Sequence, residues 1–132
     1  MSKSATIVYN GDLCCEIKKF DTKETIYETN ASGAPQTFSP TDALASALAA
    51  CTASMIGYVA SQRNLNVQGL EVEVSKEMGE APARVKSFSL TVKFPKASVP
   101  EEEKARLEAA AKACPVKNTL HPETEVKLEF IY

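Results

Sequence analysis

Two of the four cysteines in this chain stand in settings that thiol chemistry can use. Cys114 immediately precedes a proline in the run Ala113-Cys114-Pro115-Val116. The residue before proline is pushed away from helical dihedrals, so this run ends one helix, and Pro115 suits the first position of another. Cys114 then sits at a helix N-terminus, where unpaired N–H groups and the positive end of the dipole lower a thiol's pKa. Cys51 lies at the middle of the apolar stretch Ser39–Gln62, SPTDALASALAACTASMIGYVASQ. It is about eleven residues into that helix, roughly 16 Å from its start, and the dipole effect fades within the first turn. Its own helix therefore does not ionise it. The plain alternative for such a cysteine is a small buried hydrophobe.

The remaining candidates carry less. Cys14 and Cys15 are neighbours on an expected strand, where side chains alternate, so they should face opposite ways and not share a site. His121 is the single histidine and lies between Leu120 and Pro122 in an expected turn. Neither the cysteine spacing nor that lone histidine suits zinc. With no glycine-rich phosphate loop either, no metal or cofactor is expected. The formal charge is −2, from 15 basic and 17 acidic side chains, and there is no basic aromatic patch, so nucleic acid is excluded as a partner.

The elements that must position the two cysteines can be read in order. At 132 residues the chain is expected to be a single domain, 1–132. Its start, MSKSATIVYN, has no sustained apolar run after the lysine, which implies neither signal peptide nor anchor and makes the cytoplasm the default location. In that reducing compartment four cysteines read as thiols or a catalytic pair, not as structural staples. Residues 5–30 give three short strands, ATIVYN, LCCEIKKF and ETIYETN, in a meander whose first turn is Asn10-Gly11-Asp12. The connection ASGAPQTF, residues 31–38, runs into the long helix and can form a pocket wall.

That helix has a capping box, Ser39 with Asp42, and Pro40 at its first position, with Asn64 as its stop. It is apolar or small nearly all round, so it should be buried on most sides. A membrane span is disfavoured because Asp42, Ser46, Thr52, Ser54 and Ser61 interrupt it. Two alternating strands follow, around Leu70–Val74 and Phe88–Phe94, then a second helix opened by a Ser98/Glu101 capping box and broken at Cys-Pro. A last alternating strand, TEVKLEFIY, closes an antiparallel sheet with one wet face. One sheet and one short amphipathic helix cannot cover a helix apolar on most sides, which implies an obligate homodimer.

The stretch Ser39–Leu70 with Lys112–Leu120 resembles the OsmC/Ohr family of thiol-dependent hydroperoxide reductases. The resemblance is carried by Ser39-Pro40-Thr41-Asp42, Leu48-Ala49-Ala50-Cys51-Thr52, Gly69-Leu70-Glu71-Val72 and Ala113-Cys114-Pro115-Val116. It implies a two-layer α+β fold, the long helices at the centre of an intertwined homodimer and the sites at the subunit boundary. It implies further that Cys51 is the peroxidatic thiol that attacks the O–O bond of a small peroxide. Cys114 then resolves the sulfenic acid as an intramolecular disulfide, which an external dithiol reduces. The expected activity is thus a cytoplasmic antioxidant peroxidase of the oxidative stress response.

The chain departs from that family's best-studied branches in one respect. Those place an arginine in the N-terminal region to face the peroxidatic cysteine, held by a glutamate near the helix start. Here arginine occurs only at Arg63, Arg84 and Arg106, and Thr41 and Asp42 occupy the turn where that glutamate stands. Lys18, Lys19 or Lys23 are the available cations, but lysine lacks the planar bidentate fork. Asp42 is nine residues from Cys51, about 13 Å along the axis and on the opposite side, so helix capping is its expected task, with support of the site second. A non-catalytic protein that binds a small apolar or thiol-reactive ligand at the dimer interface is the alternative function.

Overall fold

The computed structural model describes residues Met1–Tyr132, which divide into two compact units, Met1–Leu44 and Ala45–Tyr132. The N-terminal unit is the expected meander. Strands β1 (Ala5–Gly11), β2 (Cys14–Lys19) and β3 (Thr25–Asn30) pair antiparallel in the order β1-β2-β3. Gly11, Asp12 and Leu13 all take positive φ, which turns the chain sharply between β1 and β2. The register sets Ile7, Ile17 and Tyr27 in one row across the sheet, and Tyr9, Cys15 and Thr29 in the next. This face is unusually apolar for one open to solvent: Ile7 is 58%, Tyr9 62% and Tyr27 42% exposed.

The long helix α1 (Pro40–Gln62) begins in this unit and continues through the second. Its start is the expected capping box: the Asp42 N–H donates to Ser39 Oγ at 3.1 Å, and the Ser39 N–H donates to Asp42 Oδ2 at 2.9 Å. Its end is a Schellman motif. Asn64 takes φ 55°, the Leu65 N–H reaches the Ala60 carbonyl at 2.9 Å, and the Asn64 N–H reaches that of Ser61 at 3.3 Å. By length and composition alone α1 could cross a membrane.

In the second unit β4 (Glu71–Gly79) and β5 (Arg84–Lys93) form the expected antiparallel pair. The sheet as a whole is mixed, however, which corrects the antiparallel expectation: β6 (Glu125–Ile131) pairs parallel to β5, Phe88 beside Val126 and Leu90 beside Leu128. Alternation marks which face of a strand is buried but is silent on its direction. The direction follows from the helical crossover between β5 and β6, since parallel neighbours need such a connection. A second correction concerns how that crossover starts. Ser98 does not cap it: a 3₁₀ turn over Glu101–Glu103 precedes α2 (Lys104–Lys112), Pro100 holds the cap position, and the Ser98 hydroxyl is buried without a partner. Glu103, the last residue of the turn, is instead gripped by Arg63, whose guanidinium donates from Nη2 to Oε1 at 2.8 Å and from Nε to both carboxylate oxygens at 3.2 and 3.3 Å.

The core of this unit lies between α1 and the sheet. Ala45, Leu48 and Ala49 pack with Val85, Phe88, Leu90 and Cys114, while Ile56 and Ala60 pack with Val92, Phe94, Val99, Leu107 and Ala111. The positions 45, 48, 49, 52, 56 and 60 make one stripe of the helix. Ala47, Ala50, Ser54 and Tyr58 on another side are exposed, Tyr58 at 61%. Burial on most sides, expected from composition, is thus met on one face within a single copy. At the C-terminus Tyr132 stacks on Phe94 with ring centres 4.8 Å apart and donates its hydroxyl to Glu108.

Candidate functional site: a thiol pair at a helix break

The Cys-Pro break places Cys114 as anticipated from the sequence. Cys114 has extended dihedrals, φ −72° and ψ 122°, and is the N-cap of the short helix α3 (Pro115–Thr119), with proline inside its first turn. Its sulfur accepts the Lys117 backbone N–H at 3.5 Å, and the residue is fully buried, at 0% exposure. The apolar residues of the first core cluster, including Leu48, Phe88 and Leu90, surround it.

Cys51 approaches from α1. It packs against that same cluster, which includes Cys114, 63 positions away in the chain, and the Cys114 thiol is near enough to raise its pKa. The two sulfurs are unequal: Cys51 is partly exposed, whereas Cys114 is closed in behind it. Both are free thiols.

The electrostatics of Cys51 follow from these neighbours. Burial pushes its pKa up and so does the adjacent Cys114 thiol, while the Val116 backbone N–H pulls it down. The balance lies above the ordinary cysteine value, so the thiol form is favoured within one copy of the chain. No arginine of the chain is free to reverse this. Arg63 and Arg106 are both paired with Glu103, and Arg84 with Glu123 at 3.2 Å.

The unpaired N–H groups expected at Cys114 are those of Val116 and Lys117; that one of them acts on Cys51 escaped sequence reasoning. Their signal was Pro115, because a proline at the first helical position leaves the next N–H groups without partners in the helix. One amide serves Cys51 and the other Cys114. Asp42 is the partner of Ser39 in the helix cap, as expected of it. His121 accepts the Glu123 backbone N–H at 3.0 Å in an exposed turn.

Cys14 and Cys15 depart from expectation. Both border one hollow of about 250 Å³ in the N-terminal unit, with Asn10, Thr29, Asn30 and Phe38. The register shift lies on β1 between Tyr9 and Gly11, while β2 keeps regular register with β3, Cys14 opposite Asn30 and Cys15 opposite Thr29, so the alternation through the two cysteines holds. The connection expected to form a pocket wall does so here, through Thr37 and Phe38.

Solved structures share this fold along nearly its whole length. A Psychrobacter arcticus 273-4 protein, provisionally named for osmotic stress induction and a detoxification response, is 28% identical with TM-score 0.88, over 98% of this chain and 96% of that one. An organic hydroperoxide resistance protein OsmC from Legionella pneumophila is 17% identical with TM-score 0.74, covering 100% and 98%. One from Elizabethkingia anophelis, named for organic hydroperoxide resistance, is 19% identical with TM-score 0.73, covering 99% and 96%. Among curated proteins none matches. The family described as OsmC-like protein matches residues 33–129, a span that includes Cys51, Cys114 and the strands behind them, and the chain belongs to that family.

Proposed function

We propose that this protein is a thiol-dependent peroxidase that reduces organic hydroperoxides or hydrogen peroxide. The observation that carries the reading is the juxtaposition of a partly exposed Cys51 with a buried Cys114. In this reaction the Cys51 thiolate attacks one peroxide oxygen and the O–O bond breaks. An alcohol or water leaves, and Cys51 becomes a sulfenic acid. Cys114 then condenses with it, releasing water and forming an intramolecular disulfide that an external dithiol reduces. The names of the Legionella and Elizabethkingia structures, both given for organic hydroperoxide resistance, agree with this role.

The reading includes a homodimer in the cytoplasm. Two surfaces favour it, the apolar face of the N-terminal meander and the exposed small-residue side of α1. A second copy also supplies what one copy lacks, a cation to ionise Cys51. Lys18, Lys19 and Lys23 are the candidates, since the arginine of the resembling family also comes from its N-terminal region.

A second reading, a binding protein for an apolar or thiol-reactive ligand, is favoured by the raised Cys51 pKa and the engagement of every arginine. Steady-state turnover of cumene hydroperoxide with dithiothreitol separates the two. The peroxidase reading expects turnover by the wild type, none by Cys51→Ser, and in Cys114→Ser one turnover that stops at a sulfenic acid reactive with dimedone. Turnover that Cys51→Ser leaves unchanged sinks it.

A further inference from the structure

The unequal burial of the two sulfurs decides which of them a reductant can reach. Thiol–disulfide exchange requires a thiolate to attack one sulfur while the other departs with the bonding electrons. Cys114 has 0% exposure, with Leu48, Phe88 and Leu90 in the cluster around it, so an attacker must open the core to touch it. Cys51 is partly exposed and needs no such opening. Cys114 Sγ also has a donor in place for a departing thiolate, the Lys117 N–H at 3.5 Å.

Resting on the peroxidase reading, we infer that the external dithiol reopens the Cys51–Cys114 disulfide by attacking Cys51, and that Cys114 is always the departing thiolate. One thiolate of the dithiol bonds to Cys51 Sγ. The electron pair of the old S–S bond leaves on Cys114 Sγ, which the Lys117 N–H receives and which then takes a proton. The second thiol of the reductant loses its proton and attacks its own partner sulfur in the mixed disulfide, expelling Cys51. The dithiol ends as a disulfide, oxidised by two electrons, and the protein regains both thiols. Cys114 thereby reacts only with Cys51, in both directions, and never bonds to a reductant.

The direction is tested on the full chain with the disulfide made by diamide, so that its formation does not depend on peroxide. The oxidised protein is mixed briefly with the monothiol 2-mercaptoethanesulfonate, quenched in acidic N-ethylmaleimide and mapped by peptide mass spectrometry. The expected result is the mixed disulfide on Cys51 and the maleimide on Cys114, in excess over the reverse by on the order of tenfold or more. Equal amounts, the reverse pattern, or failure of diamide to link the two cysteines overturns the inference. A parallel sample oxidised with cumene hydroperoxide reports on the enzymatic reading separately. No disulfide there, with adducts on Cys51 in the diamide sample, sinks the peroxidase and leaves the direction of opening standing.

Discussion

Lys117 donates its backbone N–H to the sulfur of Cys114 across 3.5 Å, so one side chain caps a helix and also faces a second thiol. Capping and redox roles of Cys114 separate by substitution. Cys114→Ala removes the cap acceptor and leaves a small void, an expected loss of about 1 kcal/mol for the cap with a further packing cost. Cys114→Ser keeps an acceptor for Lys117 and should unfold in urea at a higher midpoint than Cys114→Ala. The opposite order would mean that packing outweighs the hydrogen bond.

Asp42 offers a cleaner separation, because its partner in the cap is Ser39. Asp42→Ala is expected to cost about 1 kcal/mol of stability. The rate of Cys51 alkylation by iodoacetamide should stay within twofold of wild type. A tenfold fall in that rate, with the fold intact by circular dichroism, would return Asp42 to the chemistry of the site.

The protonation of Cys51 reports on assembly. Its raised pKa holds the thiol protonated near neutral pH within one copy, so at concentrations that favour single protomers alkylation should accelerate only above the pH at which free cysteine responds. Where dimers dominate, a cation from the second copy should move that inflection below free cysteine. An inflection that ignores protein concentration while sedimentation shows the protomers associating would remove the lysine donors from the reading.

Arg63 and Glu103 tie the end of α1 to the start of the crossover, and the guanidinium holds the Glu103 carboxyl below the usual carboxylate range. A carboxyl with a lowered folded pKa contributes stability above its unfolded pKa and loses it as the pH falls through the folded value. Glu103→Gln should therefore lower Tm at pH 7 and lower it less as the pH falls into the acid range. An equal drop throughout would assign the effect to packing.

Much of this architecture was legible in the sequence because it depends on local chemistry. The turn through Gly11 and Asp12, the Ser39–Asp42 box, the Asn64 stop and the Cys-Pro break each fix a dihedral or a hydrogen bond within a few residues. What stayed hidden is decided at long range. The parallel approach of β6 depends on where a crossover lands, and Ser98 lost its expected cap to a 3₁₀ turn whose Glu103 is held by Arg63, forty residues away. The thiol pair falls between these cases. Residue types and the family resemblance named Cys51 and Cys114, but only folding brings Val116 and Lys117 to serve one sulfur each.

The parallel pairing of β5 with β6 also sets an order of events during synthesis. Cys114 lies in the connection between those strands, so it is anchored from both ends only once β6 has emerged and joined its neighbour. Until then a nascent chain carries Cys51 without its companion. On the proposed peroxidase reading, an oxidant meeting it at that stage finds a sulfur with no internal route back, which makes β6 the latch that turns a vulnerable side chain into a reversible one.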